Sequence, residues 1–196
     1  ESYNEDSGFL KKIDNWDKSS LVSIPMGQEL RVTNLQLAMA YSAIANGGYL
    51  LKPKIIKQNL NESDSNVEII RQVADKDDLK LLIEALKMTV TEGTAIAINN
   101  EDLCSYGKTG TAQVYEKEIG LNGEIKSGYS KDKYIGSYAS IFPCDNPKLI
   151  CLVSFFYPDK KYQWASQTAV PTVEKIINRI LIKDKYLSIA IADEIK

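Results

Sequence analysis

Hydrophobic positions recur with the period of a helix in three stretches of the chain. The first runs from Thr33 to Gly48, where Thr33 and Gln36 have the spacing of a capping box and two glycines supply a left-handed stop. The second, residues 75–93, places five apolar side chains on one face: Leu79, Leu82, Ile83, Leu86 and Val90. The third, from about Ala165 to Ile182, carries a stripe that we expect to lie across a sheet: Val173, Ile176, Ile177, Ile180 and Leu181.

Strand-like patterns occupy most of the second half. Residues 104–114, 134–142 and 149–157 are the three candidates. Turn formers at 143–147 predict that the second and third strands pair as an antiparallel hairpin, whereas the polar residues 115–133 predict a long surface loop. The third strand is apolar on both alternating faces, which predicts cover on both sides of the sheet. The fold class is therefore α+β (mixed α/β), with an antiparallel β-sheet flanked by helices.

The remaining parts of the first half have weaker patterns. Residues 1–32 are predicted to be irregular. Residues 49–56 are predicted to be an extended segment, and Pro53 restricts this segment to a sheet edge. Residues 67–73 are predicted to be a short strand. The polar segment 61–66 between them is predicted to be a turn.

Composition narrows the chemistry. The chain has 196 residues, which suits a single domain over 1–196, and its formal charge of −2 gives no case for a nucleic acid partner. It contains no histidine, which excludes a Ser-His-Asp device and a histidine-based zinc site. Cys104, Cys144 and Cys151 lack metal-ligand spacing and are predicted to be small buried thiols, so no metal is expected. No run of apolar residues is long enough to cross a bilayer, and the lack of an initiating methionine indicates a fragment or a processed piece.

One strand-like segment combines an ammonium, a glycine and two hydroxyls: Lys108, Thr109, Gly110 and Thr111. At a sheet edge, its free backbone groups would pair with an extended peptide, and Gly110 would remove the side chain that blocks the approach. Lys108 would supply a positive field and the threonine hydroxyls would bind a carboxylate. Because side chains alternate along a strand, Lys108 and the two threonines take opposite faces, and a twist or bulge at Gly110 is expected to bring them to one cleft.

The segments "VTNLQLAMAYSAIANGG", "TEGTA", "SYGKTGTAQV" and "YIGSYASIFPCDNPKLICLVSFFYP", in this order, resemble class B penicillin-binding proteins, the serine D,D-transpeptidases of bacterial cell-wall synthesis. The resemblance implies the C-terminal part of a penicillin-binding, β-lactamase-like transpeptidase domain that works without a cofactor. It implies that Lys108 and Thr111 are catalytic, Lys108 through its electrostatics and Thr111 through an oxyanion-hole N–H. It also implies that Thr109, Gly110 and Thr111 bind the substrate, the hydroxyls holding the carboxylate of a D-Ala-D-Ala stem or of a β-lactam.

The two other motifs of that family, Ser-x-x-Lys and Ser-x-Asn, lie upstream of the part that the chain resembles. The literal matches at Ser105–Lys108 and Ser130–Lys133 are interpreted as chance, whereas Ser2–Asn4, which is close to "IPMGQE" and at the terminus, is kept as a minor alternative for the second motif. Acyl transfer needs an activated nucleophile, so the parent protein is expected to be an enzyme and this chain alone to be inactive.

Two other interpretations stay open: a non-catalytic interaction module with the same fold, and a fragment of a penicillin-recognising hydrolase or sensor. The resemblance implies a location on the extracytoplasmic side of the bacterial membrane, with an anchor outside this chain. The expected partners are the stem peptide, β-lactams and the missing N-terminal part of the domain. An apolar sheet edge left exposed without that part is expected to cause self-association.

Overall fold

The structure is a computed structural model. It describes residues 6–55, 67–99, 104–119, 122 and 124–183. The chain divides into two compact units, Glu1–Ile83 and Glu84–Lys196. The predicted turn at 61–66 lies outside the described residues.

The first unit consists of short elements. In chain order they are β1 (Phe9–Leu10), α1 (Ser20–Ser23), β2 (Leu30–Arg31), α2 (Asn34–Ala45), β3 (Tyr49–Leu51) and β4 (Ile69–Gln72). Helix α3 (Lys76–Thr91) begins in this unit and contains the boundary between the two. Strands β1 and β2 pair antiparallel, as do β3 and β4. The predicted short strand is thus confirmed, and the stretch predicted to be irregular contains two strands and a helical turn.

Helix α2 forms as the sequence predicts. The Thr33 hydroxyl accepts a hydrogen bond from the Gln36 amide (3.1 Å), and the Gln36 side-chain oxygen accepts one from the Thr33 amide (2.9 Å). These two bonds satisfy donors that the first helical turn leaves unpaired. The chain leaves the helix through Gly47 and Gly48, with φ of 86° and 105°. A Cβ on Gly48 would lie 1.9 Å from the Ala74 carbonyl oxygen, so glycine is required there for close approach as well.

A polar cluster around Lys11 ties the start of the first unit together. The Lys11 ammonium donates to Glu29 (2.7 Å), to the buried Ser20 hydroxyl (2.8 Å) and to Asp17 (3.3 Å). The Ser23 hydroxyl donates to the other Glu29 oxygen. The hydrogen bond from Lys11 is the largest cause that lowers the pKa of Glu29, and the bond from Ser23 is the next. The bond to Glu29 in turn raises the pKa of Lys11. Glu29 adopts a positive φ of 59°, so the cluster holds a backbone conformation that a non-glycine residue rarely takes.

The second unit is built on one antiparallel sheet. Its elements are β5 (Tyr106–Ile119), β6 (Ile125–Phe142), β7 (Leu149–Phe156) and α4 (Ala169–Lys183). The strand order is β5-β6-β7, which confirms the three predicted strands and the hairpin between the second and third.

The predicted loop at 115–133 is wrong, because β5 and β6 continue through most of it as a long hairpin. Cross-strand contacts explain the difference. The Tyr115 and Tyr129 rings meet edge to face at 5.3 Å, and Glu116 forms an ion pair with Lys133. Such pairs stabilise a two-stranded ladder even where the residues are polar.

Helix α4 lies across β6 and β7, as predicted. The core between them and the end of α3 consists of Val90, Ala95, Ile98, Tyr138, Phe142, Ala165, Ala169, Val170, Val173 and Ile177. The predicted helix stripes are wrong at Leu82 and Ile176, which are exposed. Cover on both sides of β7 is only partial, since its residues up to Ser154 are half-buried while Phe155 and Phe156 are exposed. Among the described residues, no helix has the length and apolar character to cross a membrane.

The cysteine prediction is corrected. Cys104 and Cys144 form a disulfide across a sequence separation of 40 residues, so they are not thiols. The bond joins the segment just before β5 to the turn between β6 and β7. Only Cys151 is a free, half-buried thiol, and burial raises its pKa. Spacing along the chain does not reveal this pair, because it is the β5–β6 hairpin that brings the two residues together.

Candidate active site

The Lys-Thr-Gly segment lies on a sheet edge. Strand β5 pairs with β6 on one side, and within the described residues its other side has no partner strand. The register is continuous from Tyr106 to Gln113, with Lys108 opposite Ala139 and Thr109 opposite Tyr138. The irregularity falls beyond Gln113, so the bulge predicted as one possibility at Gly110 is wrong, whereas the alternative, a twist of the strand, stays a prediction. Lys108 therefore keeps the sheet face opposite to Thr109.

The backbone of this segment is presented to the open edge. The Lys108 ammonium donates to the Thr109 carbonyl oxygen (3.0 Å), so it lies along the strand and not out over its face. In an antiparallel ladder, successive residues direct both backbone groups alternately toward and away from the partner strand. Alternate residues of this edge strand therefore direct their backbone groups to the open side. The expected role of the Thr111 N–H requires Thr109 and Thr111 to be the outward-facing set.

Two glycines in this strand have different surroundings. A Cβ on Gly107 would lie 2.1 Å from the Ala139 carbonyl oxygen, so this glycine lets β5 and β6 approach closely. A Cβ on Gly110 would meet only the Ser137 hydroxyl, at 3.1 Å. Gly110 is therefore set in a more open environment, which is compatible with its expected role of leaving room for a peptide.

Thr94 is a further candidate site residue, which the sequence did not predict. Its hydroxyl oxygen lies 2.6 Å from that of Thr109. Thr94 belongs to the "TEGTA" segment, which begins at the last residue of α3 and is part of the family resemblance. The available signal was a Gly-Thr pair directly after a predicted helix end, but nothing in the sequence placed it against β5.

The literal Ser-x-x-Lys matches do not form a nucleophile site. Ser105 is 4% exposed and its hydroxyl is buried, so no substrate reaches it. The Ser130 hydroxyl accepts the Asp132 and Lys133 amides (3.4 and 3.2 Å), while the Lys133 ammonium pairs with Glu116. The match at Ser2–Asn4 lies outside the described residues. No cluster of potential metal ligands occurs within the described ranges.

Two further polar side chains of the second unit do not add to the site. Tyr106 is 1% exposed, and burial raises the pKa of its hydroxyl. The Lys160 ammonium pairs with Asp132 (2.7 Å), and the Lys108 ammonium is on the exposed strand edge. The arrangement therefore offers an anion one ammonium, two threonine hydroxyls and outward backbone groups on a single strand.

Comparisons with known proteins agree with this geometry. The family model for the penicillin-binding protein transpeptidase domain matches residues 2–178. Penicillin-binding protein PbpB of Mycolicibacterium smegmatis is 29% identical over 189 residues, which are 90% of this chain and 28% of that protein. This chain thus spans less than a third of that relative's length.

Solved structures give the same result. The apo TP domain of Burkholderia pseudomallei penicillin-binding protein 3 is 27% identical with a TM-score of 0.72, covering 89% of this chain and 49% of that one. Penicillin-binding protein 3 of Mycobacterium tuberculosis, complexed with ampicillin, is 25% identical with a TM-score of 0.67, covering 91% and 41%. The resemblance to class B penicillin-binding proteins and the mixed helix and antiparallel-sheet fold are confirmed. The chain belongs to the penicillin-binding protein transpeptidase domain family.

Proposed function

We propose that this chain supplies the carboxylate-binding wall of a peptidoglycan D,D-transpeptidase. The observation that carries the proposal is the open edge of β5, where Lys108, Thr109 and Thr111 stand in consecutive register against β6. A likeness to a penicillin-binding protein that was solved with ampicillin supports it. The substrate would be a peptide that ends in D-Ala-D-Ala, and a β-lactam would occupy the same place.

The chemistry follows from the edge. An extended peptide would add to β5 as a further strand, with its main chain bonded to the outward groups of Thr109 and Thr111. Its terminal carboxylate would accept hydrogen bonds from the two hydroxyls, strengthened by the charge of Lys108. The Thr111 N–H would donate to the oxyanion that forms when the scissile carbonyl is attacked. Loss of one such donor costs about 10²–10³ in rate.

The attacking group would come from the N-terminal part of the domain. Acyl-serine formation needs a serine next to a base, and neither literal Ser-x-x-Lys match here has such an arrangement. This chain alone would therefore bind one side of the substrate without being acylated. Its partners are the stem peptide, β-lactams and that N-terminal part.

An extracytoplasmic location fits the proposal. Relatives of this chain carry the names of penicillin-binding proteins. The Cys104–Cys144 disulfide supports the same location, since such bonds persist in oxidising compartments.

Covalent labelling with a fluorescent penicillin tests the proposal. The full-length protein is expected to give a stable labelled band, and this chain alone is expected to give none. Lys108→Met and Thr111→Val in the full-length protein should slow labelling at least tenfold. Lys117→Met is the matched control, because Lys117 is an exposed lysine on the same strand outside the motif.

Three results would contradict the proposal. Labelling of the chain alone would reveal a nucleophile within it. Unlabelled full-length protein would favour the non-catalytic interaction module. Equal slowing by Lys117→Met and Lys108→Met would show that the motif lysine has no special role.

A further inference from the structure

We propose that Thr94 is a positioning residue, which orients the Thr109 hydroxyl so that its proton points to the carboxylate of the substrate. The inference rests on the proposed function, since it names a residue that acts through Thr109 at the same site. It is based on the 2.6 Å contact between the two hydroxyl oxygens.

The turn that carries Thr94 is fixed to the end of α3. The Ala95 amide donates to the Thr89 carbonyl (3.0 Å), and the Ala95 side chain is fully buried in the core. Gly93 lies so close to α3 that a Cβ on it would be 2.9 Å from both Cα and the carbonyl oxygen of Thr89. Thr94 stands between these two anchored residues, so its side chain is directed to β5 by backbone that has little freedom to move.

The contact matters because the Thr94 and Thr109 hydroxyls have only one proton each. Each hydroxyl has one proton to donate and accepts through its lone pairs. If the Thr109 hydroxyl donates its proton to Thr94, it has no proton left to donate to the substrate. If Thr94 donates to Thr109, the Thr109 proton is free for an anion, and a chain of two bonds runs from Thr94 through Thr109 to the carboxylate. Bonds in such a chain polarise each other, so the second donation is strengthened.

The charge beside Thr109 favours an anion at the end of this chain. The Lys108 ammonium donates a hydrogen bond to the Thr109 carbonyl oxygen (3.0 Å). Thr94 and Lys108 are both exposed. A carboxylate that approaches the open edge therefore meets the ammonium and the Thr109 hydroxyl together. Its charge draws the Thr109 proton outward, and Thr94 supplies the hydrogen bond that the Thr109 oxygen then accepts.

A merely structural role for Thr94 makes a different prediction. If its hydroxyl only braced the turn, its removal would reduce reactions with charged and uncharged ligands equally. A positioning role affects the carboxylate alone. The informative quantity is therefore a ratio: the acylation rate constant for a β-lactam with its free carboxylate, divided by that for the methyl ester of the same β-lactam. Loss of folded protein cancels in this ratio.

The experiment measures this ratio for the full-length protein and for Thr94→Val, Thr94→Ser, Thr109→Val and the Thr94→Val/Thr109→Val double variant. Thr94→Val should lower the ratio by about 5-fold, the size of one hydrogen bond in a polarised chain. Thr94→Ser keeps the hydroxyl and should retain the ratio. The double variant should match Thr109→Val, because Thr94 acts only through Thr109.

The matched control is a second threonine, at the end of α3. Thr91→Val removes an exposed hydroxyl that donates to the Lys87 carbonyl (3.4 Å) and should leave the ratio unchanged. If Thr109→Val lowers the ratio but Thr94→Val does not, the inference is overturned and the proposed function stands. A ratio as low for Thr94→Ser as for Thr94→Val also overturns the inference alone. If Thr109→Val has no effect, or the unaltered protein is not acylated, the proposed function fails and the inference falls with it.

Discussion

The close contact of β5 with β6 at Gly107 gives a sharp stability prediction. In Gly107→Ala, the new Cβ would lie 2.1 Å from the Ala139 carbonyl oxygen and 3.1 Å from the carbonyl carbon and the Ser140 Cα. All three are backbone atoms, so no side chain can rotate away. An ordinary contact between these atoms needs more than 3 Å, and the strands must separate by about 1 Å to provide it.

The magnitude follows from the sheet. Overpacking of this kind costs about 1–3 kcal/mol, and the strain falls on a strand that pairs only with β6 among the described residues. Alanine is otherwise preferred to glycine in a strand by about 0.5–1 kcal/mol, so this gain offsets only part of the cost. We expect the free energy of unfolding to fall by about 1 kcal/mol, which lowers the melting temperature by about 2–4 °C in a domain of this size.

The assay is urea unfolding followed by far-UV circular dichroism, with Gly128→Ala as the control. Gly128 is in β6, and a Cβ there would have no heavy atom within 4 Å. The control should be neutral or slightly more stable than the unaltered chain. If Gly107→Ala unfolds at the same urea concentration as Gly128→Ala, the close approach of the two strands is not as described, and the register of the motif must be revised.

Three other perturbations have defined outcomes. Reducing the Cys104–Cys144 bond should lower the free energy of unfolding by about 4 kcal/mol, because it releases a loop of 40 residues; equal urea midpoints with and without dithiothreitol would contradict this. The pKa of Glu29 is depressed in the folded chain, so its contribution is complete above its ordinary value of 4.5 and is lost as the pH falls below it. Acid unfolding monitored by Trp fluorescence should therefore be less pH-dependent in Lys11→Met, and an unchanged profile would exclude the ion pair. The chain alone should self-associate through the edge of β7 in sedimentation velocity, and Phe156→Lys, at an exposed position, should reduce this; a monomeric unaltered chain would refute the expectation.

Local patterns predicted those parts of the fold whose stabilising contacts lie close in sequence. Helix α2 begins with Thr33 and Gln36, three residues apart, and both of its capping bonds form. The β6–β7 hairpin likewise depends on one short turn. In both cases the residues that determine the structure are within a few positions of each other in the sequence.

The structural features that the sequence did not predict depend on contacts between residues far apart in the chain. The Tyr115–Tyr129 contact turns a polar stretch into paired strands, and its value depends on a register that only the folded hairpin sets. The Cys104–Cys144 bond and the Thr94–Thr109 contact have the same character. For the candidate site, sequence supplied the residues of one strand, while the residue from the neighbouring turn required coordinates.

The position of the disulfide has a practical consequence for anyone who prepares this chain. With three cysteines, a single bond can form in three ways, and two of these ways use Cys151. Cys151 lies inside β7 in register with Ser140, so either wrong isomer would have to pull a central residue out of that strand. Chain that folds before it is oxidised should therefore form the Cys104–Cys144 bond, whereas oxidation of unfolded chain would give a mixture that a disulfide isomerase corrects.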